Sequence, residues 1–308
     1  MFLVDPDTPS SSRRALTYHA VAKTDRTSPI VQAAYHHPLL VTLSSAFNLS
    51  LYSMAGDEVV HTHTVTSFTS YPPSSLVLSA PSSDKPYRLI VSYAIPVYPA
   101  HWSVAATELS ISTHGTGGST SFTVLRTRTA RTIDIPSGWI DENKLQEIRE
   151  QWNRKVGRVA DTQTDGKWVV LAPSSSTASH EALQLYRLHF SKQHTPYSGD
   201  SSLDAAIQSA TSRNRLTFVR SLYGPTMPVQ SLALADGRCI SLGAGGEIWV
   251  WDLEHGWGVE VQRSIIDAST LQCKGSSLLN ETPGAVAFDE RRIVSTGTDS
   301  ISLRRFDM

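Results

Sequence analysis

The sequence predicts an all-β chain built from repeated sheets, and three observations carry that prediction. Charged residues make up 18% and hydrophobic residues 40% of the 308 positions. A chain so low in charge and rich in Ser, Thr and Val suits strands better than helices. Short apolar runs are separated by tight-turn signals along most of the length. The arrangement of runs and turns repeats, which points to a fold assembled from similar units.

The clearest unit runs from Val229 to Leu253, VQSLALADGRCISLGAGGEIWVWDL. Its first apolar run ends at Ala235-Asp236-Gly237, a hairpin signal because both central residues of such a turn need positive φ. A second run covers Cys239 to Leu242, Gly243 to Gly246 turn the chain again, and Ile248 to Asp252 form a third strand. The last unit, Gly284 to Asp307, repeats this: Ser295-Thr296-Gly297 matches Ser241-Leu242-Gly243, and Phe306-Asp307 matches Trp251-Asp252. The first unit, Val31 to Met54, fits the same template, with Thr42-Leu43-Ser44 in the place of Ser241-Leu242-Gly243. Two looser units lie between. One carries strands at Leu76–Ala80, Arg88–Ala94 and Val104–Ile111; the other turns at Asp165-Gly166 and has strands at Lys167–Ala172 and Leu183–Leu188.

A repeat of roughly forty residues made of short strands reads as the blades of a β-propeller, in which each four-stranded sheet buries its faces by stacking on its neighbours. The expected organisation is an N-terminal extension over 1–28 and a propeller over 29–308, with repeats at about 29–54, 58–111, 119–188, 214–253 and 258–307. About five blades are countable, fewer than such propellers usually close with, which leaves open a ring completed by a longer product, a gene model that starts at an internal Met, or a closed five-bladed ring. One or two helical insertions interrupt the strands. Asp141 can cap a helix reaching Val156, with Leu145, Ile148, Trp152 and Val156 on one face; a second covers Leu203 to Ser212. Ser112–Thr120, Ser191–Ser202 and Ile265–Glu281 read as loops.

Several function classes recede on charge and motif. Lys and Arg number 27 against 28 Asp and Glu, a net charge of −1, so no basic excess points to nucleic acid or an anionic membrane surface. No stretch approaches the roughly 20 apolar residues of a membrane span, and the opening MFLVDPDTPSSSRR has its basic residues after its short apolar run, unlike a signal peptide. Two cysteines, Cys239 and Cys273, cannot make a disulfide framework, and a reducing, cytoplasmic or nuclear location is expected. No cofactor or metal is expected. His61 and His63 alternate with Val59 and Val65 on one strand face, but no third ligand stands at metal spacing. No G-x-S-x-G motif occurs, and Gly243-Ala244-Gly245-Gly246 is followed by neither Gly-Lys-Ser/Thr nor a helix.

Two features are candidates for contact with another protein. Arg149, Arg154, Lys155 and Arg158 on and after the first helix read either as a docking surface for an acidic partner or as a solvated helix face balanced by Glu147 and Glu150. Trp257, in Glu254-His255-Gly256-Trp257-Gly258, stands in a loop, where an exposed Trp can anchor an interface. Trp249 and Trp251, two residues apart on one strand, share a face and read as core.

At Ile248-Trp249-Val250-Trp251-Asp252, preceded by Ser241-Leu242-Gly243, the chain resembles the WD-repeat family. The resemblance implies structural roles for Ser241, Trp251, Asp252 and Asp307, within a hydrogen-bonded Asp–His–Ser/Thr–Trp set. That set is incomplete here: no Gly-His pair precedes any unit, and only Trp251-Asp252 is the literal dipeptide. Over Gly138 to Gly256, the runs GWIDENKLQEIREQW, ADTQTDGKWVVLAP and LYGPTMPVQSLALADGRCISLGAGGEIWVWDLEHG resemble the C-terminal propeller of a group of filamentous-fungal F-box proteins. That resemblance implies a non-catalytic protein-binding propeller, the substrate-recognition part of an F-box-type cullin ubiquitin ligase receptor, with protein or peptide partners. An adaptor of the cullin ligase would be a partner only through an F-box upstream, and this sequence has no Leu-Pro-rich helical segment before the first unit. A generic WD-repeat scaffold in another complex is the first alternative. A propeller enzyme is the second; its carboxylates or histidines would converge on the central channel, whereas Asp252 and Asp307 read as turn formers.

Overall fold

The computed structural model describes residues 17–19, 28–55, 58–80, 86–97, 100–116, 119–133, 139–174, 182–190, 214–263, 284–297 and 300–305. Among them are twenty strands and one helix, an all-β fold. No helix in the described residues is long and apolar enough to cross a membrane.

The chain divides into two compact units. One holds Met1–Ser70, Leu76–Ile90 and Glu108–Thr127; the other holds Tyr71–Ser75, Val91–Thr107 and Arg128–Met308. In the first unit, β2 (Ile30–His36), β3 (Leu39–Ser44), β4 (Asn48–Ala55) and β5 (Glu58–Thr66) form an antiparallel meander, and the short β1 (Thr17–His19) adds to β5 in parallel. Leu39, Val41, Leu43, Leu49 and Leu51 on its central strands are buried, as continuous apolar runs demand. In the same unit Tyr87 meets the edge of Phe122 with ring centroids 6.0 Å apart. Arg88 donates to the buried Glu108 carboxylate at 3.0 Å.

Strands β6 (Tyr71–Ser79), β7 (Tyr87–Val97), β8 (His101–Thr116) and β9 (Ser119–Arg131) are neighbours in one ladder. In the second unit β10 (Val159–Thr164), β11 (Trp168–Pro173), β12 (Leu183–His189) and β13 (Arg215–Leu222) make the next meander, joined to β9 by a single parallel pair, Arg215 with Arg131. Then come β14 (Val229–Ala235), β15 (Arg238–Gly243), β16 (Ile248–Asp252) and β17 (Trp257–Gln262), and a three-stranded sheet of β18 (Val286–Phe288), β19 (Arg292–Thr296) and β20 (Ile301–Arg305). The turn between β14 and β15 has positive φ at both Asp236 and Gly237, the conformation that this dipeptide favours.

The ladders cut the repeat one strand later than the spans read from sequence. Glu58–Thr66 pairs with β4, and Trp257–Gln262 pairs with β16. Residues 30–66, 159–222 and 229–262 are therefore hydrogen-bonded groups, where the sequence spans were 29–54, 119–188 and 214–253. A periodic sequence has no inherent starting strand; backbone pairing sets one.

Three further readings change. Ser112–Thr120, expected as a loop, is largely strand: β8 runs to Thr116 and β9 starts at Ser119, and Ser121 Oγ donates to the His114 carbonyl at 3.0 Å. His61 and His63 do not share a face. A bulge places His61 opposite Tyr52 and His63 opposite Leu51, with Thr62 extra, and an added residue inverts the alternation. Helix α1 covers Glu142–Asn153, capped by Asp141, whose carboxylate accepts from the Lys144 N–H at 2.7 Å. It stops short of Val156, which instead exchanges backbone hydrogen bonds of 2.7 and 2.9 Å with Trp102. Ile148 is buried, with Leu145 and Trp152 half-buried beside it. The helix read over Leu203–Ser212 and the loops over Ser191–Ser202 and Ile265–Glu281 lie outside the described residues.

Candidate interaction surface

The sheet β14–β17 carries most of the residues singled out from sequence. Trp251 is buried on β16, and its indole N–H donates to Ser241 Oγ on β15 at 3.4 Å. Trp249, two residues earlier, stacks on it with centroids 5.4 Å apart and planes 18° apart. Both rings join a core that includes Trp168, Val170, Leu185, Leu222 and Leu232. Two glycines make room for them. A Cβ on Gly224 would lie 2.7 Å from Trp249 and 2.8 Å from Trp251, and one on Gly258, opposite Trp251 on β17, would run into the Trp251 ring.

Asp252 shapes the turn that follows. Its carboxylate accepts from the backbone N–H groups of Glu254 and His255, each at 3.0 Å, and meets His255 Nδ1 at 2.9 Å. The His255 contacts foremost hold its carboxyl below the usual range. Gly256 follows with φ of 77°, and Arg220 Nη1 closes the turn by donating to the His255 carbonyl at 2.9 Å. Asp307 lies outside the described residues.

The turn delivers Trp257 to the start of β17 with 56% of its surface exposed. Val259 is also exposed. Val261 packs on the core formed by Ile240, Leu242, Ile248, Val286 and Ile293. The pairings of Trp257 with Asp252 and of Val259 with Val250 put this row on the face opposite Trp251. An apolar stripe thus runs from a core outward to solvent along one strand.

The four basic residues have separate partners. Arg149 reaches Glu142 at 3.3 Å on the same helix. The Arg154 guanidinium lies 4.6 Å from the Phe218 ring centre, and its carbonyl accepts from Gln184 Nε2 at 3.0 Å. Gln184 in turn accepts from the Tyr186 hydroxyl at 2.6 Å, and burial pushes that phenol's pKa upward. Lys155 sits over Trp152 at 6.0 Å, and Arg158 is exposed. These contacts run to α1, β12 and β13, whereas Trp257 lies on β17. Arg154→Ala is therefore expected to lower stability by about 0.5–1 kcal/mol through the lost cation–π contact. Trp257→Ser should stay within about 0.5 kcal/mol of the parent. Paired urea melts check both.

Sequence reasoning missed the carboxylates that tie neighbouring sheets. Asp161 on β10 accepts from the Leu232 N–H of β14 at 2.7 Å, and Asp165 accepts from the Gly237 N–H at 3.1 Å. Beside them Lys167 pairs with Glu254, while Lys167 and Arg187 both lie over the Trp168 ring, at 5.2 and 5.3 Å. Glu247 is buried in the β15–β16 turn, accepting from the N–H groups of Met227 at 3.0 Å and Gly245 at 3.2 Å. Only an acidic residue inside an otherwise strand-like run, as at Asp161, could have signalled such a role.

No family model and no curated protein sequence matches the chain. Among solved structures, the computationally designed Ika8 protein aligns at 12% identity and a TM-score of 0.40, over 91% of this chain and 72% of that one. The designed Ika4 protein aligns at 10% identity and 0.31, over 94% and 97%. A complex of KlAtg21 with the coiled-coil of AgAtg16 aligns at 8% and 0.42, over 92% and 68%. Likenesses at this level say nothing of partner or activity.

Proposed function

We propose that the meanders are blades of a WD-type β-propeller that binds protein and leaves catalysis to its partners. The observation that carries this reading is the sheet β14–β17. Its third-strand Trp251 is bonded to second-strand Ser241, and the same sheet leaves Trp257 and Val259 exposed on its outer strand. A rigid sheet stack with exposed aromatic and aliphatic side chains suits recognition of another chain. The resemblance of Gly138–Gly256 to fungal F-box proteins supplies the narrower proposal, the substrate-recognition part of a cullin ubiquitin ligase receptor.

The test is affinity purification of the tagged gene product from its own host, as wild type and as the Trp257→Ser/Val259→Thr double variant. The expected result is recovery of a further protein that the variant loses, together with the cullin adaptor, which reaches the gene product through an F-box upstream and which the variant keeps. Absence of the adaptor from every preparation would remove the ligase assignment. An unchanged set of bound proteins in the variant would remove Trp257 and Val259 from the binding surface.

A further inference from the structure

We propose that the first strand of each group in the second unit carries a latch, one polar side chain that accepts a backbone N–H from the first strand of the group that follows. Three successive joints have this polarity. Ser75 Oγ on β6 accepts from the Thr164 N–H of β10 at 3.2 Å. The Asp161 carboxylate on β10 accepts from the Leu232 N–H of β14 at 2.7 Å. Ser231 Oγ on β14 accepts from the Val286 N–H of β18 at 3.4 Å. Each time the earlier strand offers the side chain and the later one the backbone. The latch stands whether or not the chain binds another protein.

Two of the latches hold matching places. A bulge leaves Ala160 extra between Val159 and Asp161, and another leaves Gln230 extra between Val229 and Ser231. Asp161 and Ser231 are each the first paired residue after the bulge, opposite Ala172 and Leu242. A bulge re-aims the side chains around it, and here it is followed by a side chain that reaches the next group. The donors match as well. Leu232 stands opposite Ser241 and Val286 opposite Ser295, the two serines that the sequence repeat aligns. Neighbouring residues of β14 thus serve both of its joints: Leu232 donates to the group before, and Ser231 accepts from the group after. Both donors are buried, and β14 and β18 are end strands among the described residues. A buried N–H on such an edge needs an acceptor from elsewhere. The approach at the second joint is close: a Cβ on Gly284 would lie 3.0 Å from Leu242 and 3.1 Å from Gln230.

Amide hydrogen exchange of the isotope-labelled chain, followed by NMR, tests the latch residue by residue. Asp161→Ala should speed exchange at Leu232 by at least about tenfold beyond any change shared with core amides such as Val170, and should leave Val286 at the shared change. Asp161→Asn, which keeps one acceptor oxygen, should slow Leu232 again by at least about threefold relative to the alanine variant. Ser231→Ala should do the converse, speeding Val286 by about threefold beyond the shared change and leaving Leu232 alone. That variant decides the matter by itself if Asp161→Ala does not fold. Equal acceleration of every amide in the alanine variants would overturn the latch and leave these side chains as supports of overall stability. Release of Leu232 by Ser231→Ala, or no recovery in Asp161→Asn, would overturn it too.

Discussion

Replacing Trp251 with alanine should cost about 3–5 kcal/mol of stability, the usual range for emptying a large buried aromatic site. The ring is 2% exposed and sits within the core shared by β10–β13 and β14–β17. Its loss would also strip Trp249 of its stacking partner. Little nearby can collapse into the space, because Gly224 and Gly258 have no side chains to offer. Two further variants separate the contributions. Trp251→Phe keeps most of the apolar body and removes the bond to Ser241; at 3.4 Å that bond is long, and its loss should add about 1 kcal/mol or less to the packing change. Gly258→Ala keeps the indole and forces a methyl into it, an overpacking expected to cost about 1–3 kcal/mol. Guanidinium melts followed by near-ultraviolet circular dichroism read all three. A Trp251→Ala loss below about 1 kcal/mol would mean that the ring is not the wedge between these sheets.

The elements that sequence made legible are those governed by local chemistry. Asp236-Gly237 announced its turn because few residues accept positive φ twice in succession. The buried strands of the first and second meanders announced themselves as unbroken apolar runs, Leu39–Leu43 and Trp168–Ala172. Asp141 and the Leu145-Ile148-Trp152 spacing gave the helix. What stayed hidden depends on partners distant in the chain. The cutting point of the repeat is set by which strands exchange hydrogen bonds, and periodicity is blind to that. The bulge at Thr62 separates His61 from His63 by one residue of register that no side chain advertises. Ser112–Thr120 has the composition of a loop, yet its Ser and Thr hydroxyls serve a ladder, as in the 3.3 Å contact of Ser112 with Thr123. At the candidate surface, Trp257 could be marked from sequence because the Gly256 turn isolates it. The exposure of Val259 beside it could not, since a valine in a strand reads as core. Arg154 shows the converse: it reads as a surface charge, but Phe218, 64 positions later in the chain (218 − 154), holds it.

Asp161 should make stability rise as pH falls from about 7 to 4, opposite in direction to the usual acid loss. Burial pushes its carboxyl up to about 6, against the lowering pull of hydrogen bonds from Leu232, Thr162 and Gln163. Asp165 lies on its own hairpin, and the neighbouring Cys239 thiol, itself raised by burial, feels both carboxylates. With the folded value above the unfolded one near 3.9, the folded state holds a proton that the unfolded chain releases. The contribution is complete below the unfolded value and is lost as pH rises through about 6. Between those limits the slope approaches one proton, about 1.4 kcal/mol per pH unit. Glu247, also raised by burial, adds in the same direction. Asp252, Asp289 and Glu254, all lowered, act oppositely, losing stability as pH falls through their folded values. The difference between wild type and Asp161→Asn cancels those other groups. It should change with pH between about 4 and 6 and level off outside that window. Asp161→Ala should cost a further about 1–3 kcal/mol at every pH, because the Leu232 and Thr162 N–H groups would lose their acceptor. Urea midpoints at half-unit steps from pH 4 to 8 decide it. A constant difference across the range would mean that Asp161 is ionised in the folded protein and clamps β14 as a carboxylate at every pH.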